Sequence, residues 1–207
     1  MLTFVVLEAA AMALYPGGTF WDAHASGHRF WQNFLCDLEW RVALDGQDNR
    51  VGALLAQGAM LALVAAFLPF WVLAGSGRAL RALGSAAVVA MAAVALMPSE
   101  RFGALHGVAV LIAGPTGLGA AVLAVRAHLR ANRRALAGLG AATLSLGAVD
   151  LGLYAWNFGT GGPGPLALPA IQKLALILLL AWMVGVGSWP GEPHGVGPRS
   201  SGKSDGS

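Results

Sequence analysis

From Val51 to Ala74 the chain is apolar at almost every position. A helix needs about 20 such residues to cross a hydrocarbon core, so a membrane span is predicted there. Residues 105–125, 135–156 and 168–187 read the same way, and 83–97 is shorter but gains length from the small residues at its start. Met1 to Tyr15 is apolar apart from Thr3 and Glu8 and is a little short for a crossing. A signal peptide is the competing reading of so short an apolar stretch. It would need a basic leader and a small-x-small cleavage site before Tyr15-Pro16, and the chain has neither. The segment therefore reads as a first helix, 1–15, whose cytoplasmic end is clipped. The expected fold is all-α, a polytopic membrane bundle of about six transmembrane helices over residues 1–188.

The basic residues between the spans set an orientation. Arg78 and Arg81, then Arg126, Arg130, Arg133 and Arg134, then Arg199 and Lys203 all fall on one side of an alternating six-span arrangement. The other side has Arg29, Arg41, Arg50 and Arg101, the first three in a loop that also carries five acids. Positive loops stay inside, which predicts a multi-pass cell-membrane protein with both termini cytoplasmic. Trp71 and Trp189 near inner span ends and Trp156 near an outer one look like an aromatic belt. Residues 189–207, rich in Gly, Pro and Ser, read as a disordered tail. Gly103 with Gly107, Gly114 with Gly117 and Ala148 with Gly152 have the spacing that lets helices approach closely in lipid, and Pro115 predicts a kink.

Composition narrows the function. The chain is 57% hydrophobic and 11% charged, with a net charge of only +3. Its basic residues are spread between apolar runs rather than massed on one face, so no nucleic-acid partner is expected. The single cysteine, Cys36, excludes an intrachain disulfide.

The outer loop, 16–50, is the most polar stretch between spans. Tyr15-Pro-Gly-Gly opens it with turn chemistry. Phe30, Trp31, Phe34, Leu35, Leu38 and Val42 then recur at helical spacing, with Arg29, Gln32, Asn33 and Glu39 off the stripe. That pattern predicts an amphipathic helix lying in the outer interface or packed as a lid. Within the spans, Thr143, Gly147, Asp150, Tyr154 and Asn157 share one helix face. Asp150 and Lys173 lie at similar depth and are placed to pair, whereas Glu8 sits near mid-membrane without an obvious partner. Ionisable groups inside spans point to a functional site, which makes Asp150 and Lys173 candidate catalytic residues, with Asp37 of the outer loop able to converge on them at the outer leaflet. Asn33, Asp37, Asn49 and Tyr154 are candidate binding residues. His24, His28 and His106 are candidate zinc ligands, the residue type that most often holds that metal.

Tyr15-Pro-Gly-Gly, Asn33-Phe-Leu-Cys-Asp-Leu38, Asn49 and His106 together resemble the bacterial six-helix membrane proteins grouped as domain of unknown function 998, and more distantly the Frag1/DRAM/Sfk1 proteins. The likeness extends to about Gly187 and implies fold and location rather than chemistry. The chain departs from that pattern at Cys36, where Ser is usual, and at Glu39, where Gly is usual. The leading expectation is a protein that binds membrane lipid, a small ligand or a protein partner at the outer leaflet. The alternatives are a metal-dependent lipid hydrolase at the same face, and a proton-coupled carrier using Asp150 and Lys173.

Overall fold

The structure, a computed structural model, describes residues 1–161 and 164–189. It contains α1 (Leu2–Leu14), α2 (Arg50–Ala74), α3 (Arg78–Leu96), the single-turn α4 (Ser99–Phe102), α5 (Ala104–Arg130), α6 (Arg134–Thr160) and α7 (Leu168–Gly187). Five of these, α2, α3, α5, α6 and α7, are long and apolar enough to cross a membrane. The chain is thus an all-α bundle of the membrane-embedded kind. α1, with 13 residues, reaches about 20 Å at about 1.5 Å per residue and falls short of a hydrocarbon core about 30 Å thick. The expected tail from Pro190 onward lies outside the described residues.

The long helices run past the apolar stretches that announce them. α3 begins at Arg78 and α5 continues to Arg130, because the backbone ladder does not stop where the apolar run does. Consecutive long helices pack as neighbours, α1 on α2, α2 on α3, α3 on α5, α5 on α6 and α6 on α7, and α7 returns against α2. The result is a closed ring of five long helices, with α1 packed on α2.

Close approach within the ring depends on glycine at particular places. A Cβ on Gly107 would lie 2.1 Å from Cε2 of Phe158, and one on Gly114 would lie 2.5 Å from Cδ1 of Leu151. No other residue fits between α5 and α6 at those points without displacing an α6 side chain. The expected Ala148–Gly152 contact does not form: a Cβ on Gly152 would meet open space.

Leu54, Val72 and Val89 point outward at 65%, 65% and 70% exposure. In water such contiguous apolar surface drives association; against acyl chains it is the matched surface. Trp71, read from the sequence as an interfacial anchor, is buried and stacked on Phe67, with ring centroids 6.1 Å apart. Its position one turn from the helix end still faces the bundle, where Phe70 and Trp182 complete an aromatic cluster. Trp156 stays exposed, as an interfacial residue should.

The loop between α1 and α2 departs most from expectation. The amphipathic helix over residues 28–42 is absent; one 3-10 turn, Leu35–Glu39, stands in its place. The rest is an irregular, hydrogen-bonded fold of its own. Gly18 N–H donates to Ala25 O at 2.7 Å, Gly27 N–H to Pro16 O at 2.8 Å, and Asn49 N–H to Arg41 O at 2.8 Å. Gly18, at φ +86°, sits where a Cβ would be 2.4 Å from the Asp45 amide nitrogen, so the Tyr15-Pro-Gly-Gly turn packs backbone against backbone. Local polar bonding outcompetes helix here, as it does wherever Asn, Asp and Gly are dense. Asn33 and Glu39, placed by periodicity on a solvated face, are instead 0% and 2% exposed.

Candidate binding site

The folded loop is tied to four elements around it. Tyr15, where α1 ends, accepts the Leu44 N–H at its hydroxyl (3.2 Å). Asn49, just before α2, donates from Nδ2 to Leu38 O (3.1 Å) and Trp40 O (2.8 Å). Trp40 Nε1 donates to Ser99 Oγ (2.8 Å) and Arg41 N–H to Glu100 Oε2 (2.8 Å), both acceptors on α4. On α7, Gln172 Oε1 accepts the Leu35 N–H at 3.0 Å, and Lys173 donates to the Asn33 carbonyl.

Lys173 is the centre of this stitching. It is 0% exposed, and its ammonium lies 5.4 Å from the centroid of the Phe30 ring. It does not pair with Asp150; the one ion pair within 4.0 Å among the described residues is Arg50–Asp48. The sequence put Lys173 and Asp150 at the same depth, but depth says nothing about azimuth, and Lys173 turns to the loop.

Beneath the 3-10 turn the ring of helices lines a half-open cavity of about 310 Å³. Its long walls are apolar: Leu63 and Phe67 of α2, Val88 and Met91 of α3, Ala113 and Leu118 of α5, Leu176 and Leu179 of α7. Cys36, Glu39, His106, Asp150, Tyr154 and Gln172 give it a polar end, with Thr143 further along α6. Trp71 and Trp182 line the other end, and their indole N–H groups have no partner. No Lys or Arg is among the lining residues.

The acids at the polar end are poorly matched by partners. Asp37 is 0% exposed; its Oδ2 accepts the Phe34 N–H (2.8 Å) and Asn33 Nδ2 (3.2 Å), while Oδ1 has no partner. Burial raises its carboxyl to about 7, against the pull of the Phe34 N–H, the Asn33 amide and Lys173. Glu39 Oε2 is also without a partner, and burial, with Glu8 nearby adding to it, raises this carboxyl to about 8. Glu8 itself is 4% exposed and both its oxygens are unpartnered. The sequence left Glu8 isolated in mid-membrane; it in fact belongs to the same electrostatic group as Glu39. Asp150 lines the cavity without a hydrogen-bond or ion-pair partner among the described residues.

The remaining candidates separate by what they touch. Asn33 spends its amide on the loop: Nδ2 also donates to Gly18 O (2.8 Å) and Oδ1 accepts the Arg29 N–H (2.9 Å). Asn33 and Asn49 therefore shape the loop and do not line the cavity, whereas Tyr154 and Asp150 do. His24 is exposed, and His28 packs edge-on against Tyr15 and Phe30. Burial, assisted by Lys173, lowers the His28 imidazole to about 4 and keeps it neutral. His106 Nδ1 donates to Met97 O at 2.8 Å. Among the described residues no group of three or more His, Cys, Asp or Glu side chains is placed to hold a metal, so the three histidines are not gathered into a zinc site. A helix would bring His24 and His28 to one face, and Gly27 at φ +63° breaks that stretch.

Two residues of the cavity end escaped the sequence reading. Gln172 gave no signal beside the more conspicuous Lys173, and Glu39 was discounted as off-stripe. An acid directly followed by Trp40 in an aromatic-rich loop is the hint that Glu39 offered.

No protein-family model matches the chain, and neither do any curated protein or any solved structure.

Proposed function

We propose that the protein is a binding protein for a lipid-like amphiphile, held in the cavity with its chain among the helices and its head at the loop-covered end. The observation that carries this reading is the distribution of polarity around the cavity. Leu63, Phe67, Val88, Met91, Leu176 and Leu179 offer walls on which an acyl chain loses nothing relative to the bilayer, while Glu39, Asp150, Tyr154 and Gln172 are collected at one end. Small-molecule sites fall in the range of about 300–1,000 Å³, mostly apolar with a few convergent polar groups, and 310 Å³ is at its lower edge. At that lower edge the cavity suits a single-chain amphiphile better than a two-chain phospholipid.

The positive-inside distribution of Arg78, Arg81, Arg126, Arg130, Arg133 and Arg134 supports an arrangement with the loop and the head-group end outside and both termini in the cytoplasm. Native mass spectrometry of the protein released from non-ionic detergent tests the reading. A bound single-chain amphiphile is expected with the wild type and absent from Ala175→Phe, which fills the chamber, but retained by Leu54→Phe on the lipid-facing surface. Equal occupancy in all three, or none in the wild type, would reject it.

A further inference from the structure

The chemistry of the head group follows from what the polar end lacks. We propose that the ligand's head group is a primary amine, carried as an ammonium and received by the Glu39 carboxyl in the chamber that Asp150 also lines; this rests on the amphiphile-binding reading above. Glu39 is 2% exposed, lines the cavity and has an oxygen with no hydrogen-bond partner. Leaving such an acceptor buried and unpaired costs about 1–3 kcal/mol, more when charged, so the site is incomplete without a donor. Asp150, on α6, lines the same chamber and has no ion-pair partner within 4.0 Å among the described residues. The chamber that both residues line thus receives no Lys or Arg from the protein itself.

The one nearby cation does not fill the gap. Lys173 is engaged with the Asn33 carbonyl and the Phe30 ring and is not a lining residue. Asp37 and Glu8 are the acids whose charge it feels, and Glu39 is coupled in turn to Glu8; each of the three has at least one oxygen unpartnered. One lysine among three buried acids leaves the cluster short of N–H donors, and Asp37 and Glu39 keep their protons for want of a further cation. An ammonium supplies both: it carries three donors and no acceptor. Hydrogen bonds between ionised partners are about twice as strong as neutral ones.

A carboxylate or phosphate head would find no Lys or Arg in the lining to receive it. A neutral hydroxyl would satisfy one acceptor and give the Glu39 carboxyl no cation to ionise against. Amine is therefore favoured over both.

The test ranks chain-matched ligands on the full-length protein in non-ionic detergent: decylamine, decanol and decanoate, read by quenching or shift of tryptophan emission at Trp71 and Trp182, which line the chamber. Decylamine is expected to bind at least about tenfold more tightly than either competitor, the scale of one charged hydrogen bond. Glu39→Gln with Asp150→Asn should remove that preference while decanol binding is unchanged. Should the double variant fail to fold, the wild-type ranking decides alone. Decanol or decanoate binding as tightly as decylamine overturns the amine assignment and leaves the amphiphile reading standing. Failure of all three to bind overturns both.

Discussion

Replacing Lys173 by Met keeps the buried stem and removes the ammonium. In the structure that ammonium satisfies the Asn33 carbonyl, lies 5.4 Å from the Phe30 ring centroid and faces the half-satisfied Asp37 carboxyl. An orphaned buried carbonyl costs about 1–3 kcal/mol, and losing the cation–π contact adds about 0.5–2 kcal/mol. The burial penalty on the lysine itself is relieved at the same time, so the net loss should be about 2–3 kcal/mol. For a chain of this size each kcal/mol lowers the unfolding midpoint by about 2–4 °C, which gives roughly 4–12 °C. The assay is thermal unfolding in detergent followed by tryptophan emission, together with protease cutting of the 16–50 loop, which should quicken because Lys173 is one of the loop's ties. A double-mutant cycle assigns the partner: Lys173→Met with Asp37→Asn should be non-additive, and Lys173→Met with Asp150→Asn additive within about 0.5 kcal/mol. A midpoint change under about 2 °C, or coupling to Asp150 in place of Asp37, would refute the reasoning.

The other expectations follow from single contacts. Gly107→Val should lower the unfolding midpoint through about 1–3 kcal/mol of overpacking, since a Cβ there meets Phe158 at 2.1 Å, whereas Gly152→Ala, in open space, should leave it unchanged or slightly raised. Asn49→Ala removes two hydrogen bonds to the loop, to Leu38 O and Trp40 O, and should cost about 1–3 kcal/mol and loosen the 3-10 turn as seen by amide exchange. Glu39 and Asp37 hold protons to about 8 and about 7, above their ordinary 4.5 and 3.8, so the folded state binds more protons than the unfolded one across that window. Stability should therefore fall as pH rises toward about 8. His28, with its folded value near 4 against an ordinary 6.5, acts in the opposite sense only below about 6.5. A scan from pH 6.5 to 7.5 reads the acids above the range in which His28 contributes. Glu39→Gln should flatten the decline, and an unchanged slope would contradict its assignment.

The helical frame was legible in the sequence because lipid imposes a single requirement, a run of apolar residues long enough to cross, and residues 51–74, 105–125, 135–156 and 168–187 meet it without reference to any neighbour. Their extension to Arg130 and Thr160 was not legible, since polar ends continue a helix as readily as they end it. The loop misled for a physical reason. Phe30, Trp31, Phe34 and Leu38 have helical spacing, yet Asn33, Asp37 and Gly27 bond or bend the backbone locally and win over a pattern without capping. Asp150 and Tyr154 were found because a shared helix face is a property of one segment. Glu39, Gln172 and the true partner of Lys173 were not, because each depends on how a folded loop meets α7, a contact between residues about 140 positions apart.

The most direct measurement is tryptophan quenching by a single-chain amphiphile brominated along its chain, comparing wild type with Trp71→Phe/Trp182→Phe. Bromine seated in the chamber should quench Trp71 and Trp182 saturably and at low mole fraction, and that component should vanish in the double variant and in Ala175→Phe. Quenching that rises only in proportion to bilayer content, with the same amplitude in all three proteins, would mean that only surface tryptophans such as Trp156, at 72% exposure, meet the chains, and that the cavity holds no amphiphile.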